Sequence, residues 1–109
     1  MGSARRWEMS RLRRYPRRDR LSPIVEGLAA FHRGAWAEAV EHLLPVRVDL
    51  WQIGGSYAQR DVVDWTLTEA AVRAGQRDVA LSLAHERLAT RSRSAPNRRF
   101  LRHAEAIAA

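Results

Sequence analysis

The stretch Gly34-Ala35-Trp36-Ala37-Glu38-Ala39 decides the fold, because its outline returns as Gly75-Gln76-Arg77-Asp78-Val79-Ala80. Each copy begins with a glycine and carries an alanine five residues later. Glycine readily adopts the left-handed backbone conformation in which many helices end. A weak internal repeat of this kind is typical of stacked helical hairpins, and it indicates a binding or assembly module instead of a catalytic fold.

The spacing around the first copy is that of a tetratricopeptide unit, in which two helices meet at a glycine turn. Gly27, Gly34, Trp36, Ala39 and Leu43 stand at the characteristic offsets. The two turn glycines are 41 residues apart, whereas the usual period is about 34 residues. We place the additional length in an extension from residue 45 to 53 and in a long third helix.

Local signals predict five helices in residues 22–109, preceded by an arm in residues 1–21. The first helix should start at Ser22 and Pro23, since serine caps helices and proline is favoured at their first position. The second should start near Ala37 and kink or break at Pro45. The third should span residues 57–74, the fourth 78–91, and a last helix after Pro96 should cap the open end. The predicted fold class is therefore all-α, with tetratricopeptide-like stacked hairpins.

Composition excludes several kinds of chemistry. The 109 residues include no cysteine, and all 19 basic residues are arginine. A thiolate metal site, a disulfide scaffold, a lysine Schiff base and a Walker-type phosphate loop therefore cannot form. No apolar run reaches the roughly 18 residues that a membrane span requires, and no secretory signal is evident. We expect a cytoplasmic protein with no cofactor and no membrane association.

Positive charge is concentrated at both ends of the chain. Residues 1–20 carry a net +6, residues 21–90 a net −3 and residues 91–109 a net +4. Clustered arginines can bind the phosphates of nucleic acid, so the arm is a candidate polyanion contact. The alternative is a solvated arm or a contact with another subunit. The candidate arginines of the arm are Arg5, Arg6, Arg11, Arg13, Arg14, Arg17 and Arg18.

The least generic stretch runs from Ile53 to Val62. The pair Gly54-Gly55 before a helix could admit an anion onto free amide groups. A structural interpretation is that Gly54 ends one helix while Ser56 and Gln59 form a capping box for the next. Arg60 and Asp61 are not explained by capping, and could form an inter-helix ion pair or line a groove. These six residues are the candidate binding site: Gly54, Gly55, Ser56, Gln59, Arg60 and Asp61.

Four segments together resemble the C-terminal end of the family typified by tetratricopeptide repeat protein thirty-eight: Leu44–Arg47, Ile53–Val62, Glu86–Leu88 and Ser94–Pro96. The resemblance covers residues 24 to about 107, and it implies an all-helical repeat fold without a known enzymatic activity. Family members carry a long helical region before this segment, whereas here a basic arm precedes it. Arg77 also stands where the family pattern has an aromatic residue.

Other candidate sites have weak support. The four histidines show no metal-ligand spacing, and the carboxylates are scattered, so we expect neither a metal nor a catalytic site. The leading hypothesis is a non-enzymatic module that binds protein through a groove lined by the first and third helices. Ile24, Leu28 and Phe31 on the first helix would meet the arm or a second copy, which predicts a homodimer. The alternative hypothesis is a nucleic-acid-binding protein that uses the arginine-rich arm.

Overall fold

The structure is a computed structural model that describes residues 21–52 and 57–108, with side chains for residues 23–47 and 60–108. Within these ranges the chain forms helices α1 (Leu21–His32), α2 (Trp36–Gln52), α3 (Tyr57–Arg73), α4 (Arg77–Thr90) and α5 (Ala95–Glu105), and no strand. The predicted all-α class is confirmed. The first four helices begin within two residues of their predicted starts.

The two repeated glycines close turns of the same kind. Gly34 has a φ of +82° and Gly75 a φ of +72°, which lie in the left-handed region. In both turns the glycine amide donates to the carbonyl three residues earlier at 3.1 Å. The following amide donates to the carbonyl five residues before it, at 2.9 Å after Gly34 and at 3.0 Å after Gly75. This pair of bonds is the Schellman motif, which satisfies the last free carbonyls of a helix.

Helices α1 and α2 approach each other most closely at Gly27. A Cβ atom placed on Gly27 would lie 2.5 Å from Cγ and 2.6 Å from Cδ2 of Leu43. Leu43 is fully buried in the core. Gly27 therefore provides the space that lets the two helices meet, as its place in the repeat predicted.

Helix α2 continues through Pro45, so of the predicted kink or break at this position the break does not occur. Proline cannot donate the backbone hydrogen bond to the carbonyl of Glu41, which costs about 3 kcal/mol or more in a helix interior. Leu43 and Val46 on either side of Pro45 are both buried. Their burial offsets the missing hydrogen bond, since each buried aliphatic side chain contributes about 1.5–3 kcal/mol.

Each helix packs against the next along the chain, and contacts also join α1 to α3 and α3 to α5. Helix α3 therefore occupies the middle of the molecule. It contributes Val63, Leu67, Ala70 and Ala71 to the core. The repeat-related alanines Ala39 and Ala80 are both fully buried, as their positions in the repeat predicted. The remaining core residues come from all the other helices: Ile24, Ala30, Val40, Leu43, Val46, Leu83, Ala84, Phe100 and Ala104.

Candidate functional site

Much of the predicted site lies outside the described residues. This applies to Gly54, Gly55 and Ser56, and the side chain of Gln59 is likewise outside them. The candidate arginines of the arm also lie outside them. The capping box, the anion site and the polyanion contact accordingly stay predictions.

Arg60 and Asp61 lie in the first turn and a half of α3. Arg60 is partly buried, whereas Asp61 is exposed. Oδ1 of Asp61 lies 3.5 Å from a terminal nitrogen of Arg87 on α4. Of the two alternatives for Asp61, the structure therefore contains the inter-helix ion pair.

Arg47 joins three helices through one guanidinium group. From α2 its Nε donates to Oδ1 of Asp64 on α3 at 3.0 Å. Its two terminal nitrogens donate to the two carboxylate oxygens of Glu86 on α4, at 3.1 and 2.9 Å. The Arg47 side chain is 19% exposed. The planar guanidinium matches a carboxylate in this two-bond geometry, which fixes orientation as well as distance.

These contacts shift the protonation of Arg47 further toward the charged form. The hydrogen bonds to Glu86 raise the pKa of the Arg47 guanidinium above its ordinary value, and Asp64 adds to this effect, while burial opposes it. A group whose pKa is raised by folding contributes stability that is fully present below its unfolded pKa. As far as the titration of Arg47 itself is concerned, its contribution to stability is therefore constant around neutral pH and decreases in strong alkali.

Arg87 and Asn97 connect α4 to α5. Nε of Arg87 donates to Oδ1 of Asn97 at 2.8 Å, and Nδ2 of Asn97 donates back to the Arg87 carbonyl at 3.2 Å. The backbone amide of Asn97 donates to the Ser94 hydroxyl oxygen at 3.3 Å, and Ser94 is the N-cap of α5. This bond holds Asn97 in place. The guanidinium of Arg87 also lies 5.7 Å from the ring centre of the buried Phe100. Arg87 is thus engaged by hydrogen bonds, by an ion pair and by an aromatic ring.

We call these six residues the arginine network: Arg47, Asp61, Asp64, Glu86, Arg87 and Asn97. Four of its members come from three of the segments on which the family resemblance rests: Arg47, Asp61, Glu86 and Arg87. These residues lie on α2, α3 and α4, and the ion pairs of the network join those helices. Asp64 and Asn97 were missed at the sequence level, because their roles depend on which helix faces meet. For Asp64, the signal available in the sequence was a carboxylate that directly follows the apolar residues Val62 and Val63.

The arginine network holds helices together and offers no evident acid–base chemistry. Each of its carboxylates faces a guanidinium, which remains protonated at any ordinary pH. Among the described residues, no group of three or more histidines and carboxylates could hold a metal ion. His42 lies beside Glu26, with 3.4 Å between Nδ1 and Oε2, and the other three histidines are exposed.

The predicted self-association residues are only partly available at the surface. Ile24 is 9% exposed and belongs to the core. Leu28 and Phe31 are partly buried against that core. Phe31 also meets Trp36 edge-on, with 5.2 Å between ring centres. Association through Leu28 and Phe31 stays a prediction, with only part of each side chain able to take part.

The large apolar side chains that are most exposed in the described residues lie on α1 and α3. Val25 is 64% exposed and Val62 is 54% exposed. On α1, Leu28 and Ala29 follow Val25 by three and four residues, which places all three on adjacent positions of the helix surface. Ala29 is exposed and Leu28 is partly so. This set, which we call the α1 apolar patch, consists of Val25, Leu28 and Ala29.

No family model and no solved structure matches the chain. The resemblance to the tetratricopeptide repeat protein thirty-eight family therefore stays a prediction that depends on the four segments quoted above. None of the described helices is long and apolar enough to cross a membrane.

Proposed function

We propose that this chain is a non-enzymatic helical-repeat module that binds protein, and that one of its partners is a second copy of itself. The observation that carries the proposal is the repeated glycine turn. The same two hydrogen bonds close the turn after α1 and after α3, at glycines that both have positive φ. The sequence repeat is thus also a repeat of local structure.

The packing of the helices supports a tetratricopeptide-like arrangement. Helices α1 and α2 form one hairpin, α3 and α4 form the next, and the first helices of the two hairpins are in contact. In repeat proteins each hairpin buries its apolar side against its neighbour, and the stacked first helices present a common surface. Such a surface suits protein binding in the cytoplasm, where we expect the protein to act.

The α1 apolar patch is the proposed contact between copies. Hiding the exposed part of Val25 from water would contribute about 1 kcal/mol, since full burial of a valine is worth about 1.5–3 kcal/mol. In a two-fold symmetric dimer each residue of the patch is buried twice. Val25 alone would then contribute about 2 kcal/mol, which corresponds to roughly a 30-fold change in the dissociation constant.

Light scattering across a concentration series tests the proposal. We expect the wild-type chain to be dimeric at high micromolar concentration, and Val25→Gln to shift the midpoint of dimerisation at least tenfold upward. Ala89→Gln is the matched control, because Ala89 is an exposed apolar residue on α4, away from the patch. A wild-type chain that remains monomeric at high micromolar concentration would refute self-association, and equal effects of the two substitutions would refute the patch.

A further inference from the structure

The outer side of α5 is a concentrated basic surface. Arg98, Arg99 and Arg102 are all exposed, and they follow one another at spacings of one, three and four residues. Phe100 and Ala104, on the opposite side of the helix, are buried against the body of the protein. Side chains three or four residues apart on a helix have Cβ atoms about 5–6 Å from each other. The three guanidinium groups therefore project from one side of a single short helix.

None of these three arginines forms an ion pair with a carboxylate among the described residues, and the one carboxylate of α5 is Glu105, three residues after Arg102. The contact formed by Arg98 is a hydrogen bond to the backbone carbonyl of Arg93, at 3.3 Å. Arg91 and Arg93, in the turn before α5, are exposed as well. Arginines elsewhere differ in this respect, since Arg33 pairs with Glu38 and Arg73 pairs with Glu69.

The stability of α5 does not explain this surface. Arg98 and Arg102 are like charges four residues apart, which destabilises a helix by about 0.2–0.5 kcal/mol. Arg102 lies in the last turn, where the helix dipole favours a cation, whereas Arg98 and Arg99 lie outside that turn and gain nothing from the dipole. A partner with dense negative charge would remove the repulsion between Arg98 and Arg102.

We propose that the outer side of α5 binds the phosphate backbone of duplex DNA. Duplex DNA carries one negative charge per about 1.7 Å of its length, so neighbouring arginines can each meet a phosphate. Single strands are usually held by exposed aromatic side chains, whereas the one aromatic residue of α5, Phe100, is buried. Double-stranded-RNA-binding domains contact two successive minor grooves over about 16 base pairs. An 11-residue helix is only about 16 Å long, which is too short to span two grooves.

The proposed contacts are to phosphates, which carry no sequence information, so binding is independent of sequence. This surface shares no residue with the α1 apolar patch or with the arm. A failure of self-association would leave this proposal intact, and a failure of DNA binding would leave the proposed self-association intact.

The salt dependence of DNA binding by the full chain tests the proposal. Fluorescence anisotropy with a labelled 20-base-pair duplex gives the slope of log K against log salt concentration. Three lost phosphate contacts lower the magnitude of that slope by about 2.7, since each contact contributes about 0.9. We expect this reduction in Arg98→Gln/Arg99→Gln/Arg102→Gln. The variant Arg33→Gln/Arg73→Gln/Arg77→Gln removes the same charge elsewhere and should change the slope by less than one.

A second variant separates loss of charge from loss of folding. Arg98→Lys/Arg99→Lys/Arg102→Lys keeps the three charges and should retain the wild-type slope, with circular dichroism confirming helical content. The proposal is overturned if the wild type does not bind the duplex in low salt. It is equally overturned if the two glutamine variants have the same slope, or if polyglutamate or a duplex RNA competes as well as DNA.

Discussion

For Gly27→Ala, helix propensity and core packing predict opposite effects on the stability of the protein. Alanine is favoured over glycine inside a helix by about 1 kcal/mol, so propensity alone predicts a more stable protein. The new methyl group, however, would be 2.5 Å from Cγ of Leu43 and 3.2 Å from Cβ of His42. Real Cβ atoms do not approach carbon that closely, so α1 and α2 must separate or Leu43 must leave its position.

The structure allows little room for either adjustment. Leu43 is fully buried among core side chains. Overpacking a core costs about 1–3 kcal/mol, and the shortness of this contact places Gly27→Ala at the upper end. After the gain in propensity, we expect a net loss of about 2 kcal/mol in the free energy of unfolding. For a chain of this size that loss lowers Tm by roughly 10 °C.

Urea unfolding followed by circular dichroism measures the effect. Ala89→Gly is the matched control, because Ala89 is exposed on α4 and lies outside the α1 apolar patch. It reports helix propensity alone and should cost no more than about 1 kcal/mol. In a Leu43→Ala background the obstacle is gone, so Gly27→Ala should become stabilising. The reasoning is refuted if Gly27→Ala stabilises the wild-type chain, or if its effect is unchanged in the Leu43→Ala background.

Two further predictions concern the arginine network and the repeated turns. Arg47→Met removes the hydrogen bonds to Asp64 and Glu86 and should lower the free energy of unfolding by about 2 kcal/mol, since a hydrogen bond to a charged group is worth about 1.5–3 kcal/mol. Arg33→Met is the control: because Arg33 is exposed, the loss should be less than about 1 kcal/mol. Equal losses for the two variants in urea unfolding would show that the arginine network stabilises the fold no more than an exposed ion pair does. Gly34→Ala and Gly75→Ala should each cost about 1 kcal/mol, because alanine is strained at positive φ by about 1–2 kcal/mol and the turns leave space for a methyl group. Thermal unfolding should give similar losses for both, and a neutral result at either glycine would contradict the equivalence of the turns.

The parts of the fold that local sequence determines were predicted well. Gly34 and Gly75 end their helices because few other residues adopt positive φ at low cost. The last helix was predicted after Pro96, and α5 begins one residue before it, at Ala95, with Ser94 as its N-cap. The spacing of Gly27 and Leu43 in the repeat indicated a close approach, which the structure contains.

The parts that depend on three-dimensional packing were predicted poorly. Pro45 was expected to kink or break α2, and the helix does not break there. Local rules do not include the burial of Leu43 and Val46 on either side of Pro45. Asp64 resembles any surface carboxylate in the sequence, and only the packing of α3 against α2 places it beside Arg47. Ile24 was expected on an open face, yet it is buried in the core.

The most direct test of the central claim is a dilution series followed by amide NMR spectra of the full chain. Self-association through the α1 apolar patch predicts concentration-dependent chemical shifts at Val25, Leu28 and Ala29. No comparable shifts should occur in the turn between α4 and α5. Spectra that do not change with concentration, or changes confined to helices other than α1, would contradict the claim that this repeat module assembles through its first helix.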